Sequence, residues 1–406
     1  SLKSEIHLGN PPVQVDYPYY AWLDDSDAQV TGDAVHQDDH SVTYLLPKCD
    51  ACYFPSVAQV ELAVCYMWKD KQEHGSHWSI GVSLTRFDDD DFPDSPYSPT
   101  TYEFTTTCYQ PDIAYDFQTG DLYLTYTKPT TGQFGYGLCY RRFDRDTCLW
   151  SNENELWEQD LEHNAYTPRI DVGIVTDMDD YYQGDYNMVG IVYSGAGYDG
   201  DHDLDLYGVY WETSEPDYQN KADHHWELGS DRIYIPYLDI APDSNGIHCY
   251  AVVYQRCVIN QDYDYEVLEV NSISNTSPLR IYRYEDSDYV QPTVTIYYNT
   301  STSGNHYSSI SVLEETDVEC WRARSVKVKL ESGSEYGINN WYNTIDDYTI
   351  TGDWNANNYN LPYNDDATYC GVSSAIIDKS NNKLWAGCCY DLNDYDDISA
   401  SYGNTE

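Results

Sequence analysis

Four aspartates alternate in the stretch "YDGDHDLDLYG", residues 198–208: Asp199, Asp201, Asp203 and Asp205. Closed into a tight loop, carboxylates at this spacing converge on one hard cation, so calcium is the expected ligand and cofactor. Calcium loops commonly place a glycine after the third acid, and here Leu204 and Leu206 flank the last one. Extended as a strand, the same alternation sets all four acids on one exposed face, a solvated edge that resists aggregation. Both readings stand at this level. The adjacent acids of "FDDDDFPDSP" (87–96) read as a solvated loop.

A second set of acids, Asp112, Asp171 and Asp239, recurs a few residues beyond a proline in three strand-like stretches. Paired carboxylates of this kind cleave glycosidic bonds, one as acid and the other as nucleophile or base. With 69 acidic residues in the chain, some fall at such places by chance. Three histidine pairs, His36 with His40, His74 with His77 and His224 with His225, each supply half of a transition-metal site and read as surface or turn residues. No Ser-His-Asp arrangement, phosphate loop or H-E-x-x-H motif stands out.

Twelve cysteines and two Asn-X-Ser/Thr sequons, Asn275 and Asn299, point to an oxidising exterior, with glycosylation at both asparagines. "CDAC", Cys49 and Cys52, has no second C-x-x-C to complete a zinc site. Disulfides are therefore expected, with Cys139–Cys148 and Cys249–Cys257 as local pairs joining neighbouring strands. The charge balance, 69 acidic against 21 basic residues for a formal −48, excludes polyanion partners such as nucleic acid and favours cations. Aspartate supplies 49 of the acids, a composition of turns and oxygen-rich loops more than of solvated helices. No apolar run is long enough to span a membrane. Serine at position 1 is compatible with a removed export signal.

These residues need elements to position them. Hydrophobic residues at 41%, with 44 Tyr and 11 Trp, suit a strand-rich folded chain. "YQPDIAYDFQTGDLYLTYTK" (109–128) reads as a proline-led strand, a turn on Asp116 and Gly120, and an alternating second strand. Copies begin at Tyr53, Tyr166, Tyr234, Val290 and Tyr369, with prolines at 55, 111, 168, 236 and 292 and Gly371 in the last. Arg86-Phe87-Asp88 and Arg142-Phe143-Asp144 repeat at one distance past their prolines. Four short antiparallel strands per unit of 55 to 70 residues, without helical periodicity, predict an all-β fold, a β-propeller. Six four-stranded blades follow, the ring closing by pairing residues 11–46 with the C-terminal strands; seven blades follow if the N-terminal stretch makes its own.

The repeat resembles the blade motif of secreted sialidase-like β-propellers across residues 53–391, carried by Pro111, Asp116, Gly120, Pro236, Asp243, Asn245, Gly246, Asp378 and Asn382. No intact Ser-x-Asp-x-Gly-x-Thr-Trp box is present, "DKSNNKLW" (378–385) being nearest, so the resemblance implies the fold more than an activity. Sialidases also hold the substrate carboxylate with an arginine cluster, and Arg169 alone starts a first strand here.

The sequence thus predicts a secreted or cell-surface propeller over residues 16–406 with an extension at 1–15, binding or assembling rather than catalysing. Its expected partners are itself, as a homo-oligomer or polymer built by strand addition of "SLKSEIHLGNPPVQV", or surface glycans contacted by tyrosines such as those of "DYPYYAW". A glycan hydrolase using the acids above and a non-catalytic lectin are the alternatives.

Overall fold

The computed structural model describes the backbone of the strands named below and several turns between them. It describes side chains within 48–69, 78–88, 97–104, 107–130, 135–156, 165–175, 184–195, 205–214 and 236–240, and at 252. All regular structure among the described residues is antiparallel β-sheet, with each sheet built from consecutive strands.

The first sheet is β1 (Leu2–His7), β2 (Val13–Leu23) and β3 (Gln29–Ala34). The second is β4 (Val42–Phe54), β5 (Gln59–Asp70), β6 (Ser79–Asp88) and β7 (Thr100–Phe104). The third has β8 (Tyr109–Tyr115), β9 (Leu122–Pro129) and β10 (Tyr136–Asp144), with short β11 (Leu149–Trp150) and β12 (Asn154–Glu155) both pairing β10. The fourth is β13 (Asn164–Thr176), β14 (Asp185–Ala196), β15 (Leu204–Glu212) and β16 (Ala222–Trp226). The fifth is β17 (Arg232–Pro242), β18 (His248–Cys257), β19 (Glu266–Asn271) and β20 (Leu279–Tyr282). Then come β21 (Tyr289–Tyr298), β22 (Asn305–Asp317) and β23 (Cys320–Glu331), and β24 (Ala367–Asp378), β25 (Lys383–Leu392) and β26 (Tyr395–Asn404). By compactness the chain divides into Ser1–Ile170 and Asp171–Glu406, so the boundary falls inside β13.

Two expectations change. β1–β3 pair with one another, and the last sheet takes its third strand from Tyr395–Asn404, a stretch beyond the point where the repeat reading stops, so the ends do not complete a shared sheet. Pro55 does not lead a strand either: Phe54-Pro55-Ser56-Val57-Ala58 is the turn from β4 to β5, and Pro47 takes the strand-entry place. The register slips between Leu45 and Lys48, Tyr109 and Asp112, Tyr234 and Tyr237, and Val290 and Thr293, each time across a residue followed by Pro47, Pro111, Pro236 or Pro292. A bulge leaves its extra residue out of the ladder, so a proline there forfeits no hydrogen bond. Gln110 and Thr167, each preceding its proline, have φ of 54° and 47°.

The cysteine pairs are corrected as well. Cys249 and Cys257 both lie on β18, eight residues apart, which is about 26 Å of strand where a disulfide needs Cα atoms within about 7 Å. Cys139 is wholly buried on β10 opposite Glu155, whereas Cys148 is exposed beside Leu149, which pairs Asp144; about 17 Å of strand separates the two levels. Both are free thiols, as are Cys49, Cys52, Cys65 and Cys108.

Core side chains fill the space between successive sheets. Ala63, Cys65, Ile80, Val82 and Leu84 of the second meet Ile113, Tyr115, Leu122, Leu124 and Phe143 of the third. Val175, Met188, Val192 and Leu206 of the fourth meet Leu238, Ile240 and Val252 of the fifth. Gly120, at φ +77°, is required twice over: its turn is left-handed, and a Cβ would stand 2.5 Å from Phe54 Cε1.

Aspartates of one first strand also bind the next. Asp50 Oδ2 accepts from Tyr115 N (2.7 Å), Asp112 Oδ2 from Ile170 N (3.0 Å), and Asp171 Oδ2 from Ile240 N (2.7 Å). Asp50 and Asp171 stand three residues past their prolines and reach the residue four past the next one; in the third sheet that place is Ala114, and Asp112 takes over from two residues earlier.

At the turn end of the second and third sheets Glu61, 0% exposed, accepts from Arg86 Nε (2.6 Å), from Arg145 Nη1 (3.1 Å) and Nη2, and from the Tyr115 hydroxyl (2.7 Å). Burial alone would raise its carboxyl; these donors hold it below the ordinary range. Arg142 makes the corresponding cross-strand bond to Asp121 at 2.7 Å, so the repeated Arg-Phe-Asp triplets place an arginine on an acid and a buried phenylalanine in the core. Removing one partner of a buried ionic network costs about 3–5 kcal/mol. Glu61→Ala is expected to lower unfolding stability by that amount in a urea titration, and Tyr115→Phe by about 1 kcal/mol; equal, small losses in both would contradict the role given to Glu61.

Candidate functional site

The residue following each entry proline falls at one register position. In three successive first strands it is Lys48, Asp112 and Arg169. All three belong to the unit Ser1–Ile170. Lys48 stands opposite Cys65 on β5, and Cys49 opposite Val64. Lys48 and Asp50 are both half-buried.

Burial pushes the Lys48 ammonium down to about 8, assisted by the Arg169 charge and opposed by Asp112. Burial raises the Asp112 carboxyl, with Arg169 and Lys48 pulling the other way. Burial likewise pushes Asp50 up to about 6, although its carboxylate accepts from Tyr115 N and from Ala51 N at 2.8 Å. Burial lifts the Cys65 thiol too, so it is not a ready nucleophile. Arg169 Nη1 donates to its neighbour's carbonyl, Pro168 O, at 3.1 Å, and Arg169 Nε is buried without a hydrogen-bond partner.

Three half-buried tyrosines sit at the same strand-start end. Tyr109 precedes Asp112 by three residues and Tyr166 precedes Arg169 by three, while Tyr136 opens β10. The Tyr109 and Tyr136 rings meet edge-on at 5.4 Å, and Tyr136 and Tyr166 are 5.9 Å apart. Three residues of strand are about 10 Å, so this aromatic group borders the charged one. The bulges tie it down: Gln110 N donates to Met67 Sδ (3.3 Å), and Gln110 Oε1 accepts from Thr167 N (2.8 Å).

Of the residues singled out from sequence, Asp112 and Arg169 come together here. Asp171 serves its own sheet pair through Ile240, and Asp239 occupies the matching place on β17. Asp205 lies on β15 opposite Gly195; β15 pairs both β14 and β16, so it is not an edge strand. Asp199, Asp201 and Asp203, in the β14–β15 connection, lie outside the described residues, as do Asn275, Asn299 and His36, His40, His74 and His77. No cluster of His, Cys, Asp or Glu suited to a metal occurs among the described residues. Sequence reasoning missed Lys48, Asp50 and the tyrosine group; the signal for Lys48 was its place after Pro47, hidden when Pro55 is taken as the entry.

At pH 8 about half of the Lys48 side chains are uncharged, so mass-spectrometric mapping of acetic anhydride labelling should show Lys48 half-maximally reactive near pH 8. A midpoint near 10 would remove the perturbation. Asp50 has the opposite bearing on stability. Its folded carboxyl binds protons more tightly than the unfolded one, so its contribution is full below about pH 4 and lost as pH rises through about 6. The melting-temperature advantage of wild type over Asp50→Asn should therefore shrink across that window, and a constant difference would refute the assignment.

No family model matches the chain. No curated protein matches it either. Among solved structures it is similar to the Penicillium chrysogenum α-L-arabinanase, with TM-score 0.45 and 11% identity over 89% of this chain and 93% of that one. It is similar to polysaccharide lyase Uly1, with TM-score 0.43 and 10% identity over 99% and 86%. It is similar to the NanB sialidase from Streptococcus pneumoniae, with TM-score 0.45 and 9% identity over 88% and 67%. At these scores and identities the likenesses bear on neither the site nor the activity.

Proposed function

We propose that this chain is an extracellular β-propeller that binds saccharide at the strand-start end of its first sheets. The succession of up-and-down antiparallel sheets, four of them entered through a proline bulge, supports the propeller. The two sequons and the acidic composition support an exterior location. The observation that carries the binding role is the half-buried group Tyr109, Tyr136 and Tyr166 bordering Lys48, Asp112 and Arg169. Aromatic faces supply rigid apolar area for a sugar ring, and a few charged groups fix its orientation.

Catalysis is the second reading, favoured by one feature: the Asp112 carboxyl, raised by burial, is the kind of group that donates a proton to a leaving oxygen. Its Oδ2 is already engaged by Ile170 N, which supports a structural assignment. A glycan array probed with the wild-type chain, followed by chromatography of the bound glycan after incubation, separates the two. Binding without cleavage, weakened at least tenfold by Tyr136→Ala, is expected. Cleavage abolished by Asp112→Asn would establish the hydrolase, and absence of any glycan signal would end the proposal.

Calcium at Asp199, Asp201, Asp203 and Asp205 belongs to the same proposal, since a cation at the β14–β15 connection offsets four clustered charges. Chelator is expected to lower the melting temperature by several degrees, and the Asp201→Asn Asp203→Asn variant to lose that response. An unchanged melting point in chelator removes calcium.

A further inference from the structure

The large apolar side chains that stand exposed among the described residues are Tyr53, Val57, Tyr97, Phe117 and Leu149. All five lie where β4, β6, β8 and β10 end. Val57, Phe117 and Leu149 are 59%, 62% and 67% exposed, and each belongs to a different turn. The three turns are pressed together. Gly120 of the second lies against Phe54 of the first. Arg145 of the third donates from its backbone N to Asp121 Oδ1 (2.8 Å) and from Nε to Gly120 O (3.2 Å), with its guanidinium over the Phe54 ring. Each turn is also braced internally: Val57 N donates to Phe54 O (3.2 Å), Gln118 N and Thr119 Oγ1 to Asp116 (2.9 and 2.8 Å), and Thr147 N to Asp144 Oδ1 (2.9 Å). Ala58 and Cys148, adjacent to Val57 and Leu149, hold φ of 50° and 54°, a left-handed backbone uncommon outside glycine. Apolar groups gathered at one end of a molecule on braced turns are preorganised for contact with a partner.

The charge around them is one-sided. Arg86 and Arg145 are paired with Glu61, and Arg142 with Asp121, whereas among the described residues no ion pair engages Asp88, Asp144 or Asp146. Bonds from the Tyr97 hydroxyl (2.8 Å) and Gln59 Nε2 (3.0 Å) hold the Asp88 carboxyl below the ordinary range, and Thr147 N does the same for Asp144, so both stay ionised. The sequence following Asp88 adds Asp89, Asp90, Asp91 and Asp94. A second copy of a chain at formal −48, or an anionic lipid surface, meets repulsion here. We infer that the turn end of the second and third sheets docks a basic segment of a partner protein, one that carries Lys or Arg beside aliphatic or aromatic side chains. The apolar groups of that segment cover Val57, Phe117 and Leu149, and its cations meet Asp88, Asp144 and Asp146. The saccharide reading uses none of these residues, so the two stand or fall separately.

Three synthetic dodecapeptides test the inference: alternating lysine and leucine, lysine and serine, and glutamate and leucine. In calorimetric titration wild type should bind the lysine–leucine peptide at least tenfold tighter than either other. Phe117→Ser combined with Leu149→Ser should erase the preference over lysine–serine, and Asp146→Asn should weaken lysine–leucine binding. Two exposed thiols locate the bound peptide. Cys148, beside Leu149, should be alkylated by iodoacetamide at least tenfold more slowly, read by peptide mass spectrometry. Cys49, five residues before Phe54 and about 17 Å of strand away, should react at its unbound rate. Equal binding of the two lysine peptides overturns the inference, since charge alone then accounts for it, and so does protection of Cys49 in place of Cys148. Glutamate–leucine binding as tight as lysine–leucine overturns the sign of the partner, and no binding of any peptide overturns the surface. A dimer in sedimentation that the double variant dissolves gives the surface to a second copy, and adsorption to anionic vesicles lost in that variant gives it to lipid; either rejects the basic segment. If the double variant fails to fold, protection of Cys148 in wild type decides the matter, and its absence under saturating lysine–leucine peptide rejects the site.

Discussion

In three sheets the first strand has an outward edge whose N–H groups find no partner in their own ladder, and the aspartate of the preceding sheet supplies one. Asp50 to Tyr115 N, Asp112 to Ile170 N and Asp171 to Ile240 N are three instances of this bond. Leaving such a donor buried and unmet costs about 1–3 kcal/mol each, and an exposed sheet edge invites pairing with other chains. The carboxylate solves both at the expense of burying charge, which is why Asp50 and Asp112 are held above the ordinary range. The proline bulge works with it, turning the strand entry so that its residues address the neighbouring sheet instead of their own.

At the turn end the same problem has a different solution. Glu61 is fully buried, yet two arginines and a tyrosine satisfy it, and Arg145 stacks over Phe54 (4.7 Å) and Phe143 (5.5 Å) while its backbone N–H bonds Asp121 at 2.8 Å. Glu61 comes from β5 and Tyr115 and Arg145 from the third sheet, so the network fastens the two sheets beside core residues Tyr115 and Phe143. At the other end of β9, Lys128 with Glu153 and Glu155 and the Tyr126 hydroxyl on Glu153 at 2.6 Å brace β9 against the segment after β11. In both groups the charges are matched.

The row that follows the entry prolines is different. There burial, assisted by the Arg169 charge, lowers the Lys48 ammonium, a thioether accepts a backbone N–H from a left-handed bulge, and aromatic rings stand half in solvent.

The all-β class, the recurring proline-led hairpins, the turn at Asp116–Gly120 and the paired Arg-Phe-Asp triplets were legible from the sequence, because alternation and turn chemistry are local properties of a chain. The alignment of one copy to the next was not: Pro47 and Pro55 are equally plausible strand entries until pairing with β5 shows which one sits in the bulge, and with it whether Lys48 joins Asp112 and Arg169. The cysteine pairs failed for a related reason, since sequence separation says nothing of whether two residues share a strand or face across one. Composition by itself determined that acids would be everywhere. Only the tertiary structure decided which of them are bound to backbone and which cations are left over, because that depends on the register of one sheet against the next, a long-range quantity that no local pattern encodes.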